Sequence, residues 1–198
     1  MAKYIKTVLL VPGFREQRSS RDYQSVIRAI EARGHKVIFV PITWQRTTIM
    51  QWLAQLDKVY AAYDPAQTIL AGFSFGAMTV FVEATKRQPA ELWLFSLSPY
   101  FANDLTHLKQ AWLRSIGQRR AAAFKTLDFT NLASKLTCKT LIFVGETEMK
   151  SYPTTGNRAI LAEQAILGSR KIIVPLAGHD ITDPNYVAAI QTEITDLS

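Results

Sequence analysis

The stretch QTILAGFSFG, residues 67–76, contains the clearest structural information in the chain. Its first part, residues 67–71, is a short apolar run typical of a strand buried on both faces. Its second part, residues 72–76, is a G-x-S-x-G pattern, and a helix-like run follows it. A sharp turn between a strand and a helix lifts the central serine above the sheet, beside a helix N-terminus. The pattern therefore predicts a reactive Ser74, the alternative being a tight turn with an inert serine.

Around this stretch, short β-branched runs alternate with longer helix-like segments. The runs that predict strands are residues 7–11, 36–40, 67–71, 92–97, 140–144 and 171–174. The segments that predict helices are about 20–33, 47–62, 75–88, 154–167 and 184–197. Strands and helices in regular succession favour a parallel sheet. We therefore predict a single α/β domain over residues 1–198, with three layers: a mostly parallel six-stranded sheet and helices on both of its faces.

One region, residues 99–136, interrupts this alternation because it contains no strand candidate. Much of it is rich in helix formers, and Gly117 is expected to divide or bend the helical part. A helical insertion that follows a strand lies at the carboxyl edge of the sheet, where ligands bind in open α/β folds. Two interpretations remain open: a partial lid or pocket wall, and a plain crossover helix.

The composition suits a folded globular protein, with 198 residues, 48% hydrophobic and 20% charged. No apolar run approaches the ~20 residues of a membrane helix, and the run that ends at Pro12 is too short for a signal peptide. The single cysteine, Cys138, excludes an internal disulfide and a multi-cysteine zinc site. We expect a cytoplasmic protein that needs no membrane, metal or cofactor.

The net charge of +7 comes from 23 Lys and Arg against 16 Asp and Glu. Such an excess raises the affinity for anions in general. The densest basic stretch, residues 114–125, falls in a helix-like segment and is interpreted as a solvated helix face. No zinc finger, aromatic RNA-binding signature or long basic tail supports a nucleic-acid role, so we expect no nucleic-acid partner. A nucleic-acid-associated protein that uses this basic face remains one alternative.

A serine hydroxyl needs a base to act as a nucleophile, and the chain contains three histidines. His35 lies between the first helix and the second strand, where a surface turn residue is expected. His107 lies in the insertion and is expected on a helix surface. His179 follows the last strand and precedes the last helix, which places it at the same edge of the sheet as Ser74. His179 is therefore the predicted base.

The base needs a carboxylate that fixes its tautomer and stabilises its charged form. Glu146 and Glu148 both follow the fifth predicted strand, and either could serve. Asp104, after the fourth strand, is a third candidate, whereas Asp180 is too close to His179 in sequence to orient it easily. With either glutamate the chain order is serine, acid, histidine.

The remaining requirement is a pair of backbone N–H groups that hold a negatively charged oxygen. One donor is expected to be the N–H of Phe75, directly after the serine. The other is expected from the loop after the first strand, where Gly13 permits close backbone approach and the N–H of Phe14 is the predicted donor. The alternative for this loop is a simple strand-ending turn.

Together these motifs resemble those of the α/β-hydrolase fold superfamily, over nearly the whole chain. Residues 11–14, VPGF, are similar to its oxyanion segment, although Pro12 stands where the superfamily usually has histidine. Residues 31–37 are similar to its helix–Gly–strand junction, which supports a structural role for His35. The first strand corresponds to the usual third strand, so the resemblance implies a compact version of the fold.

The resemblance also bears on the choice of acid. Residues 145–148, GETE, are similar to the Gly-x-x-Asp turn of the superfamily, with Glu148 in the position of the acid. Glu148 is therefore preferred to Glu146. Residues 177–179, AGH, are similar to the Gly-His ending that carries the base.

The resulting functional hypothesis is a serine hydrolase that cleaves a small ester or thioester through a Ser74, His179 and Glu148 triad and an acyl-enzyme. The residues expected around the substrate pocket are Gly13, Phe14, Phe73, Phe75, Tyr100, Phe101 and Trp112. Aromatic side chains in such positions favour a small hydrophobic acyl or aryl group. The alternative is a non-catalytic binding protein that kept the fold. A monomer and a homodimer both remain open.

Overall fold

The computed structural model of the chain describes residues 5–14 and 21–194. Its centre is a six-stranded sheet whose neighbouring strands are all parallel, in the order β2-β1-β3-β4-β5-β6. The strands are β1 (Thr7–Val11), β2 (Lys36–Phe39), β3 (Thr68–Phe73), β4 (Glu91–Phe95), β5 (Lys139–Gly145) and β6 (Arg170–Val174). All six predicted strands are confirmed, to within a few residues at their ends.

Helices cover both faces of this sheet, which confirms the predicted three-layer α/β architecture. The helices are α1 (Gln24–Glu31), α2 (Ile49–Tyr60), α3 (Phe75–Ala84), α4 (Ala102–Leu105), α5 (Gln110–Ile116), α6 (Gln118–Phe124), α7 (Phe129–Ala133), α8 (Glu146–Ser151), α9 (Pro153–Ala165) and α10 (Pro184–Glu193). Apolar residues of α1 and α10 form one core with the sheet, and those of α2, α3, α9 and the insertion form the other.

The strands differ in burial as their positions in the sheet require. Every residue of β3 is buried, because strands flank it on both sides and helices cover it on both faces. The edge strands β2 and β6 have exposed or half-buried residues. The near-continuous apolar character of the central strands is thus a consequence of their burial on two faces.

The insertion consists of four short helices, α4 to α7. Gly117 separates α5 from α6, which confirms the predicted division of the helical part, and its φ of +85° is a value that favours glycine. The first predicted helix began near residue 20, which lies outside the described residues, and α1 begins at Gln24. The last predicted helix extended to residue 197, whereas α10 ends at Glu193 and residues 195–198 lie outside the described range.

Helix α8 is an addition to the sequence prediction, which expected only a turn after the fifth strand. Its six residues follow Gly145 directly and include both candidate glutamates. Among the described helices, none combines the length and apolar character needed to cross a membrane.

Candidate active site

Ser74 lies in the sharp turn between β3 and α3, with φ of 56° and ψ of −118°. This conformation is rare for a non-glycine residue and stores strain of about 1–3 kcal/mol. The Ser74 N–H donates to the carbonyl of Phe95 at 2.9 Å, which ties the turn to the end of β4. A Cβ atom at Gly72 would overlap the backbone of Gly76, and one at Gly76 would overlap the carbonyl of Pro12. Both glycines are therefore required by close backbone approach.

Three polar side chains meet at the carboxyl edge of the sheet. His179 Nε2 lies 3.0 Å from Ser74 Oγ, and His179 Nδ1 lies 2.6 Å from Glu148 Oε1. An ionised carboxylate only accepts hydrogen bonds, so Nδ1 carries the hydrogen and donates it to Glu148. Nε2 is then the acceptor for the Ser74 hydroxyl. This is the hydrogen-bond pattern in which an imidazole can remove a proton from a serine.

Glu148 is held on its other oxygen as well. Its side chain is fully buried in the first turn of α8, and Ser96 Oγ donates to Oε2 at 2.6 Å. Ser96 Oγ lies 3.0 Å from Tyr186 Oη. Because the one hydroxyl hydrogen of Ser96 is directed to Glu148, Tyr186 must be the donor to Ser96. Sequence analysis did not identify either residue.

Tyr186 is suited to remain a donor. Complete burial raises its pKa well above the ordinary value, and the charge of Glu148 raises that pKa further. Its hydroxyl therefore stays protonated at any physiological pH. The ring lies against Phe95 and Phe143, which fixes the hydroxyl beneath the acid.

The other candidate acids lie outside this arrangement. Glu146 pairs with Lys150 at 2.7 Å and accepts from the Leu176 N–H at 3.1 Å. The hydrogen bond from Lys150 lowers the pKa of Glu146, which is half-buried. Asp104 forms an ion pair with Arg158, itself buried in the core beneath the insertion. Of the candidate carboxylates, the structure brings Glu148 to His179.

The other two histidines also lie away from Ser74. His35 is 4% exposed and packs edge-on against Trp93 at 5.6 Å between ring centroids. The expectation of a surface turn residue is therefore wrong, because the ring is buried against Trp93 of β4. His107 is exposed in the turn after α4.

The two predicted N–H donors flank the serine. Phe75 is the first residue of α3, a position whose N–H has no acceptor within its own helix. Phe14 follows β1, and its ring contacts that of Phe75 at 5.1 Å between centroids. Between β1 and Phe14, the Gly13 N–H donates to Tyr23 Oη at 3.1 Å, which anchors the loop.

A cavity of about 560 Å³ opens at Ser74 and His179. Its remaining lining residues are Phe14, Phe75, Ser98, Pro99, Tyr100, Ala111, Trp112, Ser115, Ile116, Tyr152 and Thr155. Six of them belong to the insertion or its start, so residues 99–136 form one wall of the cavity. The volume lies within the range of small-molecule sites.

Of the seven residues expected around the pocket, four line the cavity and three lie elsewhere. The four are Phe14, Phe75, Tyr100 and Trp112. Phe73 is 2% exposed and supports the His179 ring at 4.8 Å between centroids. Phe101 is fully buried against Phe81 and Phe129. Gly13 is also absent from the lining.

Sequence analysis missed Ser98 and Tyr152 as lining residues. Ser98 follows β4, and Tyr152 follows α8 beyond β5. Both come after strands whose carboxyl ends meet at the edge that carries Ser74. The edge rule that located His179 could therefore have indicated them. Within the described part of the chain, no three His, Cys, Asp or Glu side chains come together as a metal site would require.

The sequence matches no protein-family model, and no curated protein matches it. Solved structures do match its fold. Est1E from Butyrivibrio proteoclasticus has a TM-score of 0.74 at 16% identity, covering 96% of this chain and 87% of its own. A thioesterase domain from the curacin biosynthetic pathway has a TM-score of 0.70 at 14% identity, covering 95% of this chain and 90% of its own. Carboxylesterase CesB (YbfK) from Bacillus subtilis has a TM-score of 0.62 at 15% identity, covering 96% and 82%.

These likenesses cover nearly the whole chain. The chain therefore has the α/β-hydrolase fold, in a compact form with six described strands. At 14–16% identity the likeness establishes the fold, and the chemistry has to be argued from the site.

Proposed function

We propose that this protein is a serine hydrolase that cleaves a small ester or thioester. Ser74 is the nucleophile, His179 the general base and acid, and Glu148 the carboxylate that orients His179. The observation that carries the proposal is the continuous hydrogen-bond chain, 3.0 Å from Ser74 Oγ to Nε2 and 2.6 Å from Nδ1 to Glu148. The fold of solved structures named as a carboxylesterase and a thioesterase domain supports the same class.

In the first half of the reaction, Ser74 Oγ attacks the acyl carbon while its proton passes to His179 Nε2. Glu148 stabilises the imidazolium that forms, and the buried position of its carboxylate keeps this interaction strong. The N–H groups of Phe14 and Phe75 hold the oxyanion. His179 then returns the proton to the departing alcohol or thiol, leaving an acyl ester on Ser74.

In the second half, water replaces the alcohol or thiol beside His179. The imidazole removes a proton from that water as it attacks the acyl carbon, and the same N–H groups hold the second oxyanion. The intermediate collapses, Ser74 Oγ recovers its proton from His179, and the carboxylic acid leaves. The 36% exposure of the His179 side chain gives water direct access to the base.

The cavity wall supports a hydrophobic acyl or aryl group as the substrate part that lies beside Ser74. Phe75, Tyr100, Trp112 and Tyr152 supply aromatic surface around it. Burial raises the pKa of Tyr100 to about 12, so this side chain presents a neutral hydroxyl at physiological pH. The insertion acts in this proposal as a pocket wall and partial lid.

The experiment that tests the proposal is labelling of the purified protein with a fluorophosphonate probe, which reacts with activated serines. We expect wild-type protein to label at Ser74, and S74A and H179A to lose labelling. Serine-to-alanine substitution at the exposed Ser134 is the matched control and should label fully. A folded wild type that fails to label would reject the hydrolase and favour a binding protein with this fold. A labelled enzyme would next be tested on p-nitrophenyl esters of increasing acyl length.

A further inference from the structure

Ser74 has a second hydroxyl neighbour besides the imidazole. Ser98 Oγ lies 3.1 Å from Ser74 Oγ, a hydrogen-bond distance for two hydroxyl groups. Ser98 is 5% exposed and lines the cavity that contains Ser74 and His179. The triad chemistry described above gives this residue no role.

The direction of the hydrogen bond follows from counting hydrogens. His179 Nδ1 donates to Glu148, so Nε2 has no hydrogen and must accept. The hydroxyl hydrogen of Ser74 is then directed to Nε2. Ser98 must therefore supply the hydrogen in its contact with Ser74 Oγ, which accepts it on a lone pair.

We propose that Ser98 is a further catalytic residue, which donates a hydrogen bond to the nucleophilic oxygen of Ser74. The proposal rests on the proposed function, in which Ser74 attacks an acyl carbon. As the Ser74 proton moves to His179, negative charge grows on Oγ, and a hydrogen bond to a charged acceptor is about twice as strong as one between neutral groups. The contact thus strengthens as the bond to the acyl carbon begins to form.

The same contact operates in the second half of the reaction. In the acyl-enzyme Ser74 Oγ is an ester oxygen, which carries no charge and is a weak acceptor. When water has added and the intermediate collapses, the bond from Oγ to the acyl carbon breaks and charge returns to Oγ. Ser98 then donates to it again until His179 returns the proton. The hydroxyl of Ser98 itself is neither gained nor lost.

The chain geometry after β4 explains how Ser98 reaches this position. Ser96 has a φ of +49° and its N–H donates to the Phe143 carbonyl at 2.8 Å, so the chain bends at the end of the strand. The Ser98 carbonyl accepts from the Tyr100 N–H at 3.1 Å. One short segment, residues 96–98, therefore supplies a hydroxyl to the acid through Ser96 and a hydroxyl to the nucleophile through Ser98.

The test compares S98A, S98T and S98V with wild type, with thermal melting as a check on folding. Threonine and valine have nearly the same shape, and only threonine keeps the hydroxyl. We expect S98A and S98V to lower kcat for a p-nitrophenyl ester and the rate of fluorophosphonate labelling by about 10- to 100-fold, the effect of one charge-assisted hydrogen bond. S98T should stay within about threefold of wild type, and KM should change little in all three.

Two results would overturn the proposal. If S98A hydrolyses and labels at the wild-type rate, the hydroxyl does not act on Ser74. The second result is a loss of activity in all three variants, with S98T as inactive as S98V. In that case the shape of the side chain, and not its hydroxyl, controls the rate. The alanine variant removes a single oxygen atom, so it decides the first point even if the larger side chains do not fit. A wild type that neither labels nor hydrolyses identifies failure of the proposed function itself, before any Ser98 variant is made.

Discussion

The serine turn and the helical insertion contribute to the same cavity in different ways. In the turn, two glycines are packed so closely against backbone that neither tolerates a Cβ atom. In the insertion, Gly117 has a left-handed backbone but no neighbour within 4 Å of where its Cβ would be. Ser74 is thus held by backbone contacts at the edge of the sheet, whereas one wall of the cavity is built from side chains on short helices. Substitutions at the turn should therefore change kcat, and substitutions in the insertion should change the preference among substrates.

The largest effect is expected from removal of the nucleophile. S74A should lower kcat/KM for any substrate of this enzyme by at least about 10³-fold, because the other groups cannot replace the covalent step. The measurement is hydrolysis of a p-nitrophenyl ester beside the S134A control. Retention of a tenth of the wild-type rate by S74A would contradict the assignment of Ser74.

The second-largest effect is expected from replacement of the proposed acid, Glu148. E148Q keeps the shape of the side chain but removes its charge, so we expect kcat to fall by about 10²- to 10⁴-fold. E146Q is the matched control, because Glu146 is half-buried and pairs with Lys150 outside the site. A loss only in E146Q would show that the acid has been assigned to the wrong glutamate, and equal losses would show that Glu148 has no role that Glu146 lacks.

The contrast between Gly76 in the turn and Gly117 in the insertion can be measured as a difference in the free energy of unfolding. G76A should lower the free energy of unfolding by about 3 kcal/mol or more, since the new Cβ would overlap the carbonyls at the end of β1. G117A has space around it and should cost less, about 1–3 kcal/mol, from a backbone at φ 85° and ψ 150° that non-glycine residues rarely adopt. Urea unfolding of both variants measures these losses. Equal losses of unfolding free energy would contradict the claim that the turn is packed more tightly than the insertion.

The smallest effect is expected in the cavity wall. Trp112 of the insertion packs in a T-shape against Tyr152 at 5.5 Å, and both line the cavity. W112A should raise KM for aryl and long-chain esters by about 10-fold, the effect of lost apolar contact, with little change for acetate esters. L167A, which removes an exposed side chain outside the cavity, is the control. A uniform fall in kcat across all esters would mean that Trp112 supports the reacting groups instead.

The sequence predicted the parts of this molecule that depend on local pattern. The apolar runs give six strands, G-x-S-x-G gives the turn at Ser74, and position after the last strand gives His179. Glu148 was preferred from a motif, although the sequence showed a turn where the chain forms helix α8. Predicting these features requires only a few consecutive residues and the rule that the carboxyl ends of parallel strands lie at one edge of the sheet.

The remaining features depend on contacts between distant residues. Tyr186 reaches Ser96 across 90 positions of sequence, and nothing in the sequence around Tyr186 indicates that its hydroxyl lies beneath the acid. Phe73 and Phe101 were expected at the pocket, but Phe73 packs beside the His179 ring and Phe101 packs in the core against Phe81 and Phe129. His35 was expected at the surface, and only the packing of Trp93 against it shows otherwise.

An acyl-enzyme on Ser74 can be detected by rapid-quench mass spectrometry of the enzyme during turnover of a p-nitrophenyl ester. We expect a burst of p-nitrophenol and an acyl adduct on the peptide that contains Ser74, and we expect the adduct to disappear as water releases the acid. Release of p-nitrophenol without any adduct, or an adduct on a different residue, would contradict this expectation.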